Sequence, residues 1–169
     1  FVLPNPEGVL EDFLHRRGEQ YHLKISSPLS APEACSRLSV QLASGRLSMR
    51  TVVQSTWRAQ QEAKTWPVEQ RRTWPKALAA FQSRLHWHCH FMQKFESEPE
   101  LEHRNMARSC DGLRENDFAE AKFQAWCTGH TGYPFIDACM RFLIAEGWIN
   151  FRMRAMLVSF AAYDLWLHW

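Results

Sequence analysis

The chain has 169 residues, enough for one domain with a sizeable core, and its net charge at pH 7 is only +2. This charge excludes a strongly basic nucleic-acid coat, so contact with DNA has to come from local clusters of Arg and Lys. The eight tryptophans indicate a large core, a stacking site or both. The five cysteines contain no Cys-x-x-Cys pair, which favours a reducing compartment, and no apolar run approaches membrane-spanning length. We therefore expect a cytoplasmic protein with no membrane contact.

The two ends of the sequence suggest an excised piece of a longer protein. The chain starts without Met, and its first residues lack the basic-then-apolar order of a signal peptide. Its last residue, Trp169, falls inside a strongly apolar helical pattern.

Apolar residues recur at helical spacing along nearly the whole chain, while strand-like alternation is scarce. The sequence therefore predicts an all-α protein in which residues 1–169 are part of one helical domain. Ser48 is placed to cap a long helix, and Gly129 and Gly147 are placed to end two others. The predicted helices cover residues 8–19, 49–64, 76–96, 118–128, 135–146 and 149–169, with a helix start near Pro32, a connector at 65–75 and a surface loop at 97–117.

The sequence RLHWHCHF, residues 84–91, places three histidines and a cysteine on one predicted helix. His86 and His90 are four residues apart and share a face, as two ligands of one metal ion would. Cys89 points about a quarter turn away from His90, and the face offers no third ligand nearby, so we predict no metal site. His88 continues the apolar stripe of the helix, which predicts that it is buried and hydrogen-bonded or faces a cavity. The stripe consists of Leu78, Phe81, Leu85, His88, Met92 and Phe95.

Two other stretches each support two interpretations. CSRLSVQLASGRLS, residues 35–48, gathers hydroxyl groups and two arginines around a helix start, which suits either a phosphate or ordinary helix capping. Arg152, Arg154 and Asp164 fall in the strongly apolar last helix, where a buried charge is costly without a partner. They predict either an internal salt bridge with the remainder of the protein, outside this sequence, or a guanidinium that faces an anionic or electron-rich ligand.

Three segments carry recognisable motifs: CSRLSVQLASGRLS, RLHWHCHF, and AWCTGHTGYPFIDACMRFLIAEGWINFRMRAMLVSFAAYDLWLHW at 125–169. In this order they resemble the helical FAD-binding domain of the photolyase and cryptochrome family. The first resembles the family's Thr-Ser-x-Leu-Ser-Pro-x-Leu-x-x-Gly-x-Leu-Ser segment, which wraps the FAD phosphates. The second stands in the place of its Glu-Leu-x-Trp-Arg-Glu-Phe helix. The third is a long ungapped match that includes Gly-x-Thr-Gly-x-Pro and Arg-x-Arg.

The resemblance implies an all-α, multi-helix bundle, truncated at its C-terminal end, that holds FAD in a folded form. In photolyases, light-excited reduced flavin donates an electron to a cyclobutane pyrimidine dimer flipped out of DNA, and in cryptochromes a similar pocket serves light signalling. The implied partner is DNA that contains pyrimidine dimers, or a signalling protein in the second case, and we expect a monomer. An antenna pigment would lie on an N-terminal domain outside this sequence.

The resemblance also implies roles for individual residues. Trp87 would be the wall on which a flipped base stacks, Asn150 a polar residue of the pocket, and Trp169 the middle member of a tryptophan chain that carries electrons to the flavin. Trp87, His88 and Arg152 would contact DNA. The residues implied for FAD binding are Tyr21, Cys35, Ser36, Arg37, Leu38, Ser39, Arg84, His88, Trp148 and Arg154.

Several positions depart from the family's pattern. Arg84 stands where the family has its pocket glutamate, and Phe151 stands where repair enzymes have Asn. The other departures are Val40 for Pro, His88 for Arg, Cys89 for Glu and Ala155 for Met. The pattern indicates a retained flavin pocket and a rewritten dimer pocket. We expect DNA repair of the photolyase type, with a photoreceptor that binds FAD without repairing DNA as the alternative and a remnant without cofactor as a third interpretation.

Overall fold

The computed structural model describes residues 4–168, which divide into two compact units, Phe1–Lys94 and Phe95–Trp169. Across the described residues every regular element is helical and no strand occurs, so the all-α prediction is confirmed. None of the described helices is long and apolar enough to cross a membrane. The prediction of one domain over residues 1–169 stays a prediction. The α-helices are α1 (Pro6–His15), α2 (Tyr21–Lys24), α3 (Ala31–Ala34), α4 (Ser39–Ala43), α5 (Met49–Thr65), α6 (Val68–Arg71), α7 (Trp74–Ser97), α8 (Glu120–Thr128), α9 (Pro134–Glu146) and α10 (Phe151–Ser159).

Helix α1 is shorter than the predicted helix at 8–19. It begins with Pro6 in its first turn, where the side chain of Asn5 accepts a backbone N–H. It ends at His15, and the chain continues as a 3-10 turn, Arg17–Gln20. Gly18 makes this turn possible, because a Cβ there would lie 2.3 Å from the carbonyl oxygen of Phe13. Any side chain at this position would push the turn away from α1.

Helix α5 is positioned as predicted by its N-cap. The hydroxyl of Ser48 accepts the Thr51 N–H at 3.0 Å, which satisfies a donor of the first turn. The side of α5 that is buried in the first unit carries mostly small residues, which allow close helix packing. These residues are Val52, Thr56, Ala59 and Ala63.

An aromatic cluster fills the centre of the first unit's core. Phe13 of α1 packs edge-on against Phe81 of α7, with ring centroids 4.6 Å apart, and Tyr21 of α2 packs against the same ring at 5.6 Å. Such pairs add to the free energy of area burial, by about 0.5–1.5 kcal/mol each. They anchor the short helix α2 to the long helix α7.

The connector predicted at 65–75 contains one turn of helix, α6, and is tied back to the 3-10 turn at 17–20. Thr73 Oγ1 donates to the carbonyl oxygen of Glu19 at 2.8 Å. Helix α7 then begins at Trp74, two residues before its predicted start at 76.

The apolar stripe of α7 is buried only in the N-terminal half of the helix. Leu78, Phe81 and Leu85 are buried, whereas Met92 and Phe95 are exposed. The prediction of a continuous buried stripe is therefore wrong beyond Leu85.

In the second unit, helices α8 and α9 end where predicted. Gly129 and Gly147 follow them with left-handed φ values of 68° and 63°. The turn between the helices is closed by Asp137, whose carboxylate accepts the N–H groups of Thr131 and Gly132 at 2.8 and 3.0 Å. The hydrogen bond from the Thr131 hydroxyl is the largest cause of the lowered pKa of Asp137, and the two backbone bonds lower it further, against the raising effect of burial.

The last helix is shorter than the predicted span 149–169. Helix α10 ends at Ser159 and passes into a π-helical turn, Phe160–Asp164. Arg114, from the loop predicted at 97–117, donates to the carbonyl oxygens of Ala162 and Leu167, and its guanidinium lies 4.4 Å from the ring centroid of Trp166. The loop also contains 3-10 turns at Pro99–Glu102 and Arg108–Cys110. It therefore braces the end of the described chain, which the sequence analysis did not predict.

Candidate functional site

The segment from Cys35 to Ser39 connects α3 to α4 and is held in place by one arginine. The guanidinium of Arg17 donates to the carbonyl oxygen of Cys35 and, at 2.7 Å, to that of Ser36. Its Nε donates to Asp12 at 2.6 Å, which fixes the guanidinium plane. No pattern in the sequence indicates a role for Arg17, because residues 18 and 19 positions apart in the chain give no periodic signal of contact.

Arg17 also determines where the amide groups of this segment point. The C=O and N–H of a trans peptide point in opposite directions, so the N–H groups of Ser36 and Arg37 point away from Arg17. Within residues 4–168, the N–H groups of Ser36, Leu38 and Ser39 have no hydrogen-bond acceptor. Arg37 has a left-handed φ of 59°, an uncommon conformation for a residue with a side chain. The segment therefore presents amide and hydroxyl donors suited to an anion.

Three of the residues predicted to bind FAD come close together from separate elements of the first unit: Tyr21, Cys35 and Arg84. Burial raises the pKa of the Tyr21 phenol. Cys35 raises this pKa further by a smaller amount, and the cation of Arg84 lowers it. Burial also raises the pKa of the Cys35 thiol to about 11, against the lowering effect of Arg17 and Arg37. Both groups are neutral near pH 7, so neither repels a bound anion.

Trp87 lies on the exposed side of α7, with 52% of its surface accessible. Its ring centroid is 6.0 Å from that of Phe91 and 5.7 Å from that of His90. The Phe91 ring is tilted by 31° from the indole and the His90 ring is edge-on to it at 89°, so a flat group would stack on the indole itself.

His88 follows Trp87 on the same helix and is half-buried. Its Nδ1 is enclosed and has no hydrogen-bond partner among the described residues. Of the two expectations for His88, the one that it is buried and hydrogen-bonded is wrong, because α7 leaves the core after Leu85. The alternative, that His88 faces a cavity, stays a prediction. His86 and His90 are exposed, and among residues 4–168 no group of three His, Cys, Asp or Glu side chains is placed to hold a metal ion. An enclosed nitrogen without a partner is costly unless a ligand or water supplies one.

The predicted site residues of the second unit differ in their exposure. Arg152 and Arg154 of α10 are exposed, as is Asp164. The prediction of buried charges on this helix is therefore wrong. Helix α10 turns only a narrow side, with Met153 and Leu157, toward the core of its unit.

Trp148 and Asn150 are buried just before α10, where Asn150 occupies the N-cap position. Trp169, the predicted electron carrier, lies outside the described residues.

Comparison with known proteins identifies the family. Residues 81–169 match the family model described as the FAD binding domain of DNA photolyase. The chain is 33% identical over 165 residues to the deoxyribodipyrimidine photo-lyase of Vibrio cholerae, covering 95% of this chain and 32% of that protein. It is 30% identical over 161 residues to the Escherichia coli protein of the same name, again covering 95% and 32%. Over 48 residues, 28% of this chain and 10% of the relative, it is 52% identical to cryptochrome-1 of Sinapis alba.

Among solved structures, the chain resembles a bacterial class III photolyase from Agrobacterium tumefaciens. The TM-score is 0.81 at 28% sequence identity, over 97% of this chain and 31% of that chain. The chain belongs to the photolyase and cryptochrome family, in the helical domain whose cofactor is FAD. It spans about a third of the length of the curated relatives it matches.

Proposed function

We propose that this chain serves the light-driven repair of cyclobutane pyrimidine dimers in DNA, with FAD as cofactor. The observation that carries the proposal is the exposed indole of Trp87, which is 52% accessible. An exposed indole suits stacking with an unpaired base. The relatives named deoxyribodipyrimidine photo-lyase support this proposal, because each match covers 95% of this chain.

The segment from Cys35 to Ser39 fits the phosphates of FAD. Its outward N–H groups and the hydroxyls of Ser36 and Ser39 supply donors, and Arg37 supplies a cation. Arg17 orients these donors before the cofactor arrives, which lowers the entropic cost of binding. When bound, FAD supplies the one-electron chemistry that the protein itself lacks.

On the substrate side, we assign Trp87 the role of stacking platform and His88 that of hydrogen-bonding neighbour. Arg84 lies one helical turn before His88, so its cation can meet the DNA backbone. Arg152, exposed on α10, is proposed as a further phosphate contact. The roles of Tyr21, Leu38, Trp148, Asn150, Arg154 and Trp169 stay predictions of the sequence.

A photoreceptor that binds FAD without repairing DNA is the second candidate. Phe151, in place of the Asn that the resemblance expects in repair enzymes, is 72% exposed. Arg84, in place of the expected glutamate, removes an acceptor for the donor groups of a thymine pair. These two residues favour a protein surface as the partner rather than a damaged base.

Spectroscopy and a repair assay on the full-length protein separate the candidates. We expect flavin absorption in the visible range and blue-light reversal of thymine dimers in single- or double-stranded DNA. A yellow protein that leaves dimers intact would refute repair and support the photoreceptor. A colourless protein would refute both and support the interpretation as a remnant without cofactor.

A variant series tests the proposed stacking platform. Trp87→Ala is expected to weaken binding of dimer-containing DNA roughly tenfold, because base–aromatic stacking is lost, while Trp87→Phe retains most of it. Leu29→Ala is the matched control, since Leu29 is also an exposed apolar side chain of the first unit. Equal affinities of Trp87→Ala and the control would contradict the placement.

A further inference from the structure

Helix α5 carries an exposed stripe that the proposed function does not use. Every residue of the stripe projects away from the buried side of the helix, at the spacing i, i+4, i+7, i+11, i+14. At about 100° per residue, its centre lies about 150° around the helix from the buried row at Val52, Thr56, Ala59 and Ala63. The α5 stripe consists of Arg50, Gln54, Trp57, Gln61 and Lys64.

Trp57 is the centre of the α5 stripe. It is 59% exposed, although burial of an indole is strongly favourable. It makes no ring contact with another aromatic side chain among the described residues. Its neighbours along the stripe are amides and cations, so the described residues of the first unit leave most of its surface uncovered. An uncovered indole in this setting is a candidate stacking platform.

The cations on and beside the α5 stripe have no carboxylate partner among the described residues. Among residues 4–168, Arg50, Arg58 and Lys64 have no acidic group within ion-pair distance. Arg58, which flanks the stripe, donates instead to Ser55, and Lys64 donates to Gln61. The single acid of α5, Glu62, lies about 120° around the helix from the centre of the stripe.

Some other exposed arginines of the chain are paired with acids. Arg16 is 3.0 Å from Asp12, and Arg104 is 3.0 Å from Glu100. Arg72 is 3.7 Å from Glu19. The α5 stripe is therefore a positive surface whose charge is left uncompensated, although the whole chain has a net charge of only +2.

We propose that the α5 stripe binds single-stranded nucleic acid, with Arg50, Arg58 and Lys64 on phosphates and Trp57 stacked on a base. The stripe spans about 21 Å from Arg50 to Lys64, which is long enough to meet several phosphates of one strand. The side-chain amides of Gln54 and Gln61 offer hydrogen bonds to sugar and base edges without adding negative charge. An acidic peptide would use the cations but has no group that needs an exposed indole, so the indole favours nucleic acid. This site is distinct from the proposed dimer site at Trp87 and does not rest on light-driven repair.

The test measures binding of the full-length protein to undamaged, fluorescently labelled oligothymidylate in the dark, by anisotropy at several salt concentrations. One variant combines Arg50→Gln, Arg58→Gln and Lys64→Gln. Its matched control combines Arg16→Gln, Arg72→Gln and Arg104→Gln, which removes the same charge from paired, exposed arginines. The α5 variant is expected to lose affinity at least tenfold at low salt, and its salt slope should fall by about 2, at roughly 0.7 per phosphate contact. The control should stay close to the unmodified protein.

Trp57→Ala tests the stacking separately from the charge. It is expected to weaken oligothymidylate binding roughly tenfold without changing the salt slope, while Trp57→Tyr retains binding. Because Trp57 faces away from the core, circular dichroism and the melting temperature should be unchanged in both variants. Equal losses in the α5 variant and its charge-matched control would overturn the proposal, as would binding of an oligoglutamate peptide in preference to the oligonucleotide.

The outcome is independent of the repair assay. The oligonucleotide contains no dimer, so failure of repair with intact dark binding rejects only the proposed function. Intact repair with no dark binding to the stripe rejects only the present proposal. Leu29→Ala, at an exposed apolar side chain outside both surfaces, is expected to leave the dark binding unchanged.

Discussion

Replacement of Arg17 by Gln tests whether one side chain organises the segment proposed to bind phosphate. The variant removes hydrogen bonds from a charged donor to the carbonyl oxygens of Cys35 and Ser36, and it leaves Asp12 with one cation fewer. Hydrogen bonds to charged groups contribute about 1.5–3 kcal/mol each, and the low end applies because both acceptors are half-buried and water can replace part of the loss. We therefore expect the free energy of unfolding to fall by about 2–3 kcal/mol.

Arg16→Gln is the matched control for this experiment. Arg16 pairs with the same Asp12 at 3.0 Å, but its side chain is 78% exposed, against 23% for Arg17. Exposed ion pairs contribute about 0–1 kcal/mol, so the control is expected to change stability little. Urea unfolding followed by circular dichroism measures both variants.

The flavin content of the purified variants provides a second readout. Without Arg17, the amide groups of Ser36 and Arg37 lose their fixed direction, so we expect FAD affinity to fall at least tenfold in Arg17→Gln and to stay unchanged in Arg16→Gln. Equal stability and equal flavin content in the two variants would refute the reasoning that Arg17 organises this segment.

Three further predictions concern the second unit. Gly129→Ala should destabilise the protein more than Gly147→Ala, as measured by thermal melting. Both glycines have a left-handed φ, but only at Gly129 would a Cβ lie 3.0 Å from a backbone oxygen. Asp137→Asn should make the free energy of unfolding fall less steeply as the pH is lowered. The pKa of Asp137 is lowered in the folded state, so the carboxylate stabilises the fold above about pH 4, and this stabilisation is lost as the pH falls through the folded pKa. Arg114→Ala should speed hydrogen exchange of the π-helical turn at 160–164, because its contacts to that turn are removed.

Each of these predictions has an outcome that contradicts it. Equal melting temperatures of the two glycine variants would show that the close approach at Gly129 relaxes freely. Acid unfolding of Asp137→Asn that parallels the unmodified protein would remove Asp137 from the pH dependence, and Asp164→Asn, at an exposed carboxylate, is the control. For Arg114→Ala, unchanged exchange at 160–164 would mean that the turn is held by helix α10 alone.

Local signals predicted the helix boundaries well where the chemistry of a cap is local. Ser48 accepts an N–H three residues later, and Gly129 and Gly147 adopt the left-handed conformation just after α8 and α9. Each feature needs only a few neighbouring residues, so a short window of sequence contains the whole signal. The end of the last helix was not predicted, because no capping residue marks it at Ser159 and the π-helical turn that follows contacts Arg114, which is distant in sequence.

Exposure was harder to predict than helicity. The spacing of the apolar residues placed His88, Met92 and Phe95 on the same stripe as Leu85, yet α7 leaves the core of the first unit after Leu85. Periodicity gives the face of a helix but not how far a neighbour covers it. The same limit explains Arg152 and Arg154, which an apolar helix pattern predicted to be buried and which are exposed.

The sequence by itself determined the all-α class, the main helices, the family and its cofactor, because periodicity, caps and motifs are written in consecutive residues. Only the tertiary structure decided which groups meet across the chain. Arg17 holds the carbonyl groups of Cys35 and Ser36, and Trp57 stays uncovered on α5. Contacts between distant residues depend on how the helices pack, and packing is decided by the shape and burial of the whole unit rather than by any short stretch of the chain.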